Sequence, residues 1–362
     1  MSIARLARPE IVAMKAYASA RVEGPASGVL LNANEAPWPV LVLDADSAPL
    51  NRYPEPQPGK LLAGMAALYC LPQDHLLITR GSDEGIDLLT RVFCRAGVDA
   101  ILHCPPTFGM YRIAAETQGA AVLSVPRQAE SGFAMDTREM LRLLQSDRRI
   151  KLLFLTSPNN PTGDCVEMEV LEELLAAAAN RAIVVVDEAY AEFTERSSAI
   201  SLLGLHPNLV ILRTLSKAWA CAGLRCGAVL AQPVVIDLLR RIIAPYPLAS
   251  PVAAMALRVL QADLQQRQQE QLAEILRNKR SLLALLAKYA FVLRTWPGEA
   301  NFVLVKVREA SALLAHCSRH GVVLRAFARE PLLHDCLRIT VGSTADLAAL
   351  ERALDSWREQ GP

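Results

Sequence analysis

Lys217 follows an apolar run, LVILR (209–213), and two hydroxyl-bearing residues precede it closely, Ser216 directly before it and Thr214 three residues back. A lysine amine can attack a carbonyl group and can carry a proton, provided that its surroundings favour the uncharged form. Most lysines are instead solvated at the protein surface, so this position alone leaves both interpretations open.

Other polar groups follow other apolar runs. Ser82 and Asp83 come after LLIT (76–79), where a helical pattern begins, and Asp187 comes directly after AIVVV (182–186). Amide groups at a helix N-terminus bind phosphate, although the same residue types also suit an ordinary helix cap. A carboxylate after a buried strand is often structural or a metal ligand, so each group is ambiguous by itself.

The apolar runs are short, and helical patterns separate them. Several runs are apolar throughout, which is typical of parallel strands that helices cover on both faces. The sequence therefore predicts an α/β fold with a mostly parallel sheet, in which polar groups at the carboxyl ends of strands meet at one edge. The predicted strands are LLIT (76–79), AILH (100–103), AVLSV (121–125), KLLFLT (151–156), AIVVV (182–186), LVILR (209–213) and CGAVLA (226–231).

The length of 362 residues exceeds what one hydrophobic core usually holds, so we expect two domains. Beyond residue 290, FVLRTW, NFVLVKV, VVLRAF and LRITV read as strands, interleaved with the helical patterns ASALLAHCSRH and ADLAALERALDSW. The predicted order is an N-terminal arm (1–50), a large domain (51–248), an interdomain helix (249–285) and a small C-terminal α/β domain (286–362), which part of the arm joins.

Composition excludes several classes of protein. The 38 basic and 37 acidic residues give a formal net charge of +1, which argues against a nucleic-acid partner. The eight cysteines form no CxxC pair, and scattered thiols suit a reducing compartment. The N-terminal segment lacks the apolar core of a signal peptide, and no apolar run approaches the roughly 18 residues of a membrane helix, so we expect a cytoplasmic protein without membrane contact. His316 and His320 have metal-ligand spacing but no evident third ligand, so no metal site is predicted.

Taken together, the clusters become specific. GSDE (81–84), SPNNPTG (157–163), DEAY (187–190), TLSK (214–217) and Arg225 occur in an order that resembles the fold-type I aminotransferases, which use pyridoxal 5′-phosphate. The likeness extends from about Tyr17 to Gly342. Over this range the sequence resembles the histidinol-phosphate aminotransferase family in detail. The segments that carry it are LNANEAP (31–37), RYPEPQP (52–58), PPTFGMY (105–111), RTLSKAWACAGLRCG (213–227), IAPYPL (243–248) and LRITVG (337–342). The resemblance implies a large domain with a seven-stranded, mostly parallel sheet.

The resemblance also implies a role for each residue. Lys217 would hold the cofactor as a Schiff base and, once displaced by substrate, would transfer a proton. Asp187 would pair with the pyridine nitrogen, and Tyr190 and Asn160 would hydrogen-bond the phenolic oxygen. Phe108 would stack on the ring, where relatives often carry tyrosine, so this chain lacks a hydroxyl at that position.

Phosphate binding would come from several elements. The implied ligands of the cofactor phosphate are the amides of Ser82 and Asp83, the side chains of Thr214, Ser216 and Arg225, and Tyr53 of a neighbouring subunit. A tyrosine supplied in this way implies a homodimer with shared active sites. The implied substrate-binding residues are Tyr17, Asn34, Glu35, Arg325 and Arg338, of which the two arginines suit a phosphate dianion.

The implied reaction is reversible transamination in histidine biosynthesis. L-Histidinol phosphate and 2-oxoglutarate would give 3-(imidazol-4-yl)-2-oxopropyl phosphate and L-glutamate. Decarboxylation of threonine phosphate and broad aromatic transamination are alternatives on the same fold. A cofactor-binding regulator is a further alternative, but it would need a DNA-binding domain, and family-like motifs that begin near Tyr17 leave no room for one.

Overall fold

The structure is a computed structural model that describes residues 3–15 and 50–360, with side chains described up to residue 357. Two β-sheets, one of seven strands and one of four, organise these residues. Among the described residues, no helix has both the length and the apolar character needed to cross a membrane.

The seven-stranded sheet is the predicted one, and every predicted strand lies within one residue of its observed ends. The strands are β1 Leu76–Thr79, β2 Ala100–His103, β3 Ala121–Ser124, β4 Ile150–Thr156, β5 Ile183–Asp187, β6 Leu209–Thr214 and β7 Gly227–Ala231. Their spatial order is β1-β7-β6-β5-β4-β2-β3. Strand β7 runs antiparallel to both of its neighbours, β1 and β6, and the other pairs are parallel.

Helices cover both faces of this sheet, which is why its strands are apolar throughout. Successive residues of β4 point to opposite faces: Leu152 and Phe154 join one core, and Leu153 and Leu155 join the other. The helices that pack on the sheet are α1 Pro9–Ala13, α2 Gly59–Leu68, α3 Ser82–Phe93, α4 Met110–Gln118, α5 Thr137–Ser146, α6 Met168–Ala178 and α7 Pro233–Arg240. The first core also contains residues of α1, α3, α4 and α7, and the second contains residues of α2, α5 and α6.

The C-terminal strands form an antiparallel sheet with the order β10-β11-β9-β8. The predicted strand VVLRAF is reduced to two residues, because β10 lies at the edge of the sheet and Val323 is 86% exposed. The elements of this region are β8 Val292–Trp296, β9 Phe302–Val307, α10 Ala310–Arg319, β10 Arg325–Ala326, β11 Cys336–Thr340 and α11 Thr344–Gln360.

The segment between the two sheets forms two helices, α8 Ser250–Val259 and α9 Ala262–Leu286, where one interdomain helix was predicted. Gln261 has an extended backbone and separates them. Helix α9 then touches both halves of the molecule: Gln268 donates to the carbonyl of Ala218 (3.3 Å) and Asn278 to that of Gly342 (3.0 Å). The predicted domain boundaries themselves stay a prediction.

A close backbone contact joins the turn SPNNPTG to the loop between β8 and β9. The amide of Glu299 donates to the carbonyl of Gly163 at 2.6 Å. A Cβ atom on Gly163 would lie 2.7 Å from the Cα of Gly298, so both positions require glycine. Lys279 of α9 fastens the same loop by donating to the carbonyls of Gly298 (2.8 Å) and Ala300 (2.6 Å).

Leu153→Ala tests the core of the seven-stranded sheet. Leu153 is fully buried, so we expect the variant to lose about 2–5 kcal/mol of unfolding free energy through lost burial and a residual cavity. Urea denaturation measures this loss. The same substitution at Leu205, which is 72% exposed, serves as the control and should cost less than about 0.5 kcal/mol. Equal losses in the two variants would contradict the assignment of Leu153 to the core.

Candidate active site

Residues from four strands meet at one edge of the seven-stranded sheet. Strands β1, β4, β5 and β6 run in the same direction, so the residues after their carboxyl ends lie together. Ser82 follows β1, Asn160 follows β4, Asp187 ends β5 and Lys217 follows β6. The fold thus brings together the residues that the sequence singled out.

Lys217 lies beside Tyr190, with its amine 5.6 Å from the centre of the tyrosine ring. Partial burial lowers the pKa of the lysine from its usual value, and the nearby positive charge of Arg338 lowers it further. Both effects disfavour the ammonium form. The amine is therefore more nucleophilic than that of an ordinary surface lysine, although its side chain stays open to solvent.

Asp187 is a buried carboxylate, 2% exposed, and accepts hydrogen bonds from Tyr111 (2.9 Å) and from the amide of Ala189 (3.1 Å). Burial raises the pKa of Asp187 to about 6, and the two hydrogen bonds oppose this rise. A carboxyl group in this situation gains stability from a cation brought next to it. It suits a protonated ring nitrogen.

Tyr111 is part of the site but was missed by the sequence reasoning, which selected Phe108 from the same motif. Its buried hydroxyl lies 2.7 Å from the hydroxyl of Thr156 and donates to Asp187. Its ring stacks on Phe154, with centroids 4.7 Å apart, and meets the edge of Phe108 at 5.7 Å. The motif PPTFGMY contained the signal, but the sequence does not show which of two aromatic residues faces the carboxylate.

The buried network continues from Thr156 into the turn after β4. The hydroxyls of Thr156 and Thr107 lie 3.1 Å apart, and Thr107 donates to the side-chain oxygen of Asn159 (2.7 Å). Asn159 in turn donates to Thr162 (2.6 Å) and to the carbonyl of Pro106 (3.0 Å). The sequence reasoning selected Asn160 from the pair of asparagines, and the structure assigns Asn159 the role of a buried positioning residue.

Asn160 connects the active-site edge with the four-stranded sheet. Its amide donates to the hydroxyl of Tyr190 (3.4 Å), and its oxygen accepts from Arg338 of β11 (2.5 Å). Burial raises the pKa of Tyr190 to about 12, against the opposing effect of Arg338. Arg338 lies over the ring of Phe302, with the guanidinium carbon 5.2 Å from the centroid. The predicted substrate arginine therefore adjoins the predicted cofactor residues.

The predicted phosphate ligands also converge. Ser82 and Asp83 begin α3, directly after Gly81, which has a φ of 79°. Arg225 pairs with the carboxylate of Asp83 (3.1 Å) and donates to the hydroxyl of Ser216 (3.2 Å). A Cβ atom on Gly81 would lie 3.0 Å from the Arg225 guanidinium. Helix-terminal amides, hydroxyls and a guanidinium at one point make a cradle that suits a phosphate dianion.

Thr214 completes this cradle by donating to the hydroxyl of Ser216 (2.9 Å). Tyr53 is 51% exposed and stacks on Tyr246 with centroids 4.5 Å apart. Its contact with a neighbouring subunit stays a prediction. Three of the predicted substrate residues lie outside the described part of the chain: Tyr17, Asn34 and Glu35.

Arg325 is the register partner of Arg338 across β10 and β11. Cross-strand partners have Cβ atoms only about 4.5–5.5 Å apart on one face of the sheet. Within the described residues neither arginine has an acidic partner, and the buried Nε of Arg338 has no hydrogen-bond partner. Two guanidinium groups without acidic partners among the described residues therefore lie on neighbouring strands, and that of Arg338 contacts Asn160.

These groups fit pyridoxal phosphate. The site offers a reactive amine, a buried carboxylate for the ring nitrogen, hydrogen-bond partners for a phenolic oxygen, and a cradle for a phosphate. Among the described residues, no cluster of three or more His, Cys, Asp and Glu could hold a metal ion.

Comparison with known proteins agrees with this geometry. Residues 27–356 match the family model "Aminotransferase class I and II". The chain belongs to this family and is a pyridoxal-phosphate-dependent transaminase of fold type I.

Curated relatives narrow the assignment to the histidinol-phosphate aminotransferase family. The chain is 42% identical to the histidinol-phosphate aminotransferase of Cronobacter sakazakii, over 99% of this chain and 98% of the relative. It is 44% identical to that of Aeromonas hydrophila, over 97% of each chain. The histidinol-phosphate aminotransferase from Sinorhizobium meliloti, solved in complex with pyridoxal-5′-phosphate, has the same fold, with a TM-score of 0.76 and 23% identity over 86% of this chain and 83% of that one.

Tyr111→Phe tests the contact with Asp187. A hydrogen bond to the charged form lowers the pKa of a carboxyl group, so its loss should raise the pKa of Asp187 further. A bond of about 0.5–1.5 kcal/mol corresponds to about 0.4–1.1 pH units. We expect the acidic limb of the kcat profile to move upward by this amount, as measured by initial rates across pH.

Tyr289→Phe is the matched control, because it also removes a tyrosine hydroxyl that donates to an aspartate, Asp355 (3.1 Å). Tyr289 belongs to a different hydrophobic core and is distant from Asp187 in the sequence. Its profile should coincide with that of the unchanged protein. An acidic limb that stays in place in Tyr111→Phe would show that the hydroxyl does not tune Asp187.

Proposed function

We propose that the protein transfers the amino group of L-histidinol phosphate to 2-oxoglutarate, giving 3-(imidazol-4-yl)-2-oxopropyl phosphate and L-glutamate, in histidine biosynthesis. The reaction is reversible, and biosynthesis uses the direction that consumes glutamate. Curated relatives that cover nearly the whole chain, and that are named for this activity, support the proposal.

The observation that carries the substrate assignment is the arginine pair on β10 and β11. Arg338 lies against Asn160 and close enough to Lys217 to lower its pKa, so a group bound to Arg338 adjoins the reacting amine. Two guanidinium groups without acidic partners among the described residues match a phosphate dianion, which accepts several charge-assisted hydrogen bonds. Glutamate would present a carboxylate to the same pair.

The residues around Lys217 divide the chemical work. Bound pyridoxal phosphate supplies an electrophilic carbon and an electron-accepting ring. Lys217 would hold the cofactor covalently, and its released amine would take the proton from the substrate carbon that bears the nitrogen. Asp187 would keep the ring nitrogen protonated, because a buried carboxylate gains most when a cation pairs with it.

The other residues would orient the cofactor. Tyr190 and Asn160 would donate to the phenolic oxygen, and Phe108 would cover one face of the ring. The cradle would hold the phosphate through Ser82, Asp83, Thr214, Ser216 and Arg225. Tyr17, Asn34 and Glu35 would complete the substrate pocket together with the arginine pair.

The cellular setting belongs to the same proposal. We expect a cytoplasmic enzyme, since all eight cysteines are free thiols, as a reducing compartment would keep them. We also expect a homodimer in which each subunit lends Tyr53 to the cofactor phosphate of the other.

A single-turnover absorbance experiment tests the substrate. The purified cofactor-loaded protein is mixed separately with histidinol phosphate and with threonine phosphate. Histidinol phosphate should convert the visible band of the lysine-bound cofactor to that of its amine form, and 2-oxoglutarate should restore the band. If histidinol phosphate leaves the band unchanged while threonine phosphate is decarboxylated, the substrate assignment is wrong although the cofactor assignment survives.

Lys217→Ala tests the covalent attachment. Without the amine, we expect loss of the visible band of the lysine-bound cofactor and loss of turnover, as measured by absorbance and by product formation. Lys288→Ala removes a lysine that is 58% exposed and paired with Glu351, so this control should keep both. Retention of the band and of turnover in Lys217→Ala would overturn the mechanism.

A heterodimer tests the shared active site. Chains carrying Lys217→Ala and Tyr53→Phe are co-expressed with different tags and purified as the mixed dimer. Its single intact lysine should bind the cofactor with the affinity of the unchanged protein, because Tyr53 comes from the Lys217→Ala chain. The Tyr53→Phe homodimer should bind about 10-fold more weakly through the loss of a charged hydrogen bond. Equal weakening in the mixed dimer would show that Tyr53 does not act across the interface.

A further inference from the structure

A cavity of about 440 Å³ lies at the edge of the seven-stranded sheet opposite to Lys217. Its walls come from residues 5–9, from the loop before β2 (95–99) and from the start of β4 (148–151). Strand β4 begins at Ile150, between the lining residues Arg149 and Lys151, and ends at Thr156 on the active-site edge. Seven strand residues at about 3.3 Å each separate the two sites by roughly 20 Å.

Positive charge dominates this cavity, although the net charge of the chain is only +1. One acidic residue, Asp99, lines it, and its carboxylate accepts from the amide of Arg95 (2.8 Å). Asp147 pairs with Arg149 (2.6 Å). The six cationic side chains of the lining are Arg5, Arg8, Arg95, Arg148, Arg149 and Lys151.

Within the described residues, most of these charges have no acidic partner. Arg8 has Glu10 at 3.7 Å, and in the described part of the chain the side chains of Arg5, Arg95, Arg148 and Lys151 form no ion pair. Like charges gathered without counter-ions repel one another, and this repulsion is relieved when an anion enters.

Hydrogen bonds hold Arg8 in a position where it can contact an anion in the cavity. Its amide donates to the carbonyl of Val92 (2.9 Å), and one guanidinium nitrogen donates to the carbonyl of Arg91 (3.1 Å). Its buried Nε lies 3.7 Å from the carboxylate of Glu10 and has no hydrogen-bond partner among the described residues. Leu6, a buried side chain, supplies apolar wall beside it, and such walls strengthen electrostatic attraction.

We propose that this cavity binds a small polyanion that carries two or more phosphate groups, independently of the active site. The four cations that form no ion pair with described residues, together with the fixed guanidinium of Arg8, match several phosphate oxygens through charge-assisted hydrogen bonds. The volume lies within the range of small-molecule sites, about 300–1,000 Å³. Pro9 and Val98, which is 54% exposed, offer apolar surface for the remainder of such a molecule.

Calorimetric titration of the cofactor-loaded protein with pyrophosphate and with ATP, in EDTA and at low salt, tests the proposal. The double variant Arg148→Gln, Lys151→Gln should weaken binding at least about 10-fold, because each charged hydrogen bond contributes about that factor. The matched control, Arg267→Gln with Arg280→Gln, removes two exposed charges from α9 that form no ion pair with described residues, and it should change the affinity less than about 2-fold.

The active site also attracts phosphate, so a third variant separates the two sites. Arg325→Gln should leave polyanion affinity unchanged, and the cavity variant should keep its rate with histidinol phosphate. The proposal fails if the unchanged protein does not bind either probe, if the cavity variant and the α9 control lose affinity equally, or if Arg325→Gln abolishes binding. None of these outcomes depends on turnover, so they are distinct from a failure of the proposed function.

Discussion

The hydrogen bond between Arg338 and Asn160 joins the two sheets at the point where the chemistry takes place. Arg338 belongs to β11 of the four-stranded sheet, whereas Asn160 belongs to the turn after β4 of the seven-stranded sheet. Without this contact the proposed cofactor-binding residues and the proposed substrate arginines would be two separate groups. In the same turn as Asn160, the backbone of Gly163 approaches that of Gly298, in the loop between β8 and β9, so closely that neither position admits a side chain. Lys279 fixes the same loop from α9.

Asp187 places a buried negative charge at the centre of the candidate site. A carboxylate buried at the end of a central strand is costly unless hydrogen bonds or a cation satisfy it. Tyr111 and the amide of Ala189 supply hydrogen bonds, and a protonated ring nitrogen would supply the cation. Threonine hydroxyls and Asn159 extend this support into the turn after β4, so the geometry around Asp187 and that around Asn160 are coupled through one buried network.

Charge is distributed unevenly over a chain whose net charge is +1. At the active-site edge, burial and the charge of Arg338 lower the pKa of Lys217, and Arg325 lies opposite Arg338 on the neighbouring strand. At the opposite edge a second group of cations surrounds a cavity. A near-zero net charge therefore argues against a large charged partner such as a nucleic acid, but it does not argue against a local site for a small anion. The reason is that charges at the surface attract an anion only over about one Debye length.

The sequence determined the seven strands, since their continuous apolar runs need burial on both faces and turn residues bound them. It also placed Lys217 and Asp187 after predicted strands, where polar groups share one edge of a parallel sheet, and the family resemblance added Asn160 and Phe108. The roles of Tyr111 beside Phe108 and of Asn159 beside Asn160 were missed, since neighbouring residues differ only in the direction that the folded backbone gives them. The register that pairs Arg325 with Arg338, and the hydrogen bond from Arg338 to Asn160, were decided by tertiary structure alone. Arg338 and Asn160 are 178 positions apart, and no local pattern encodes a contact over such a distance.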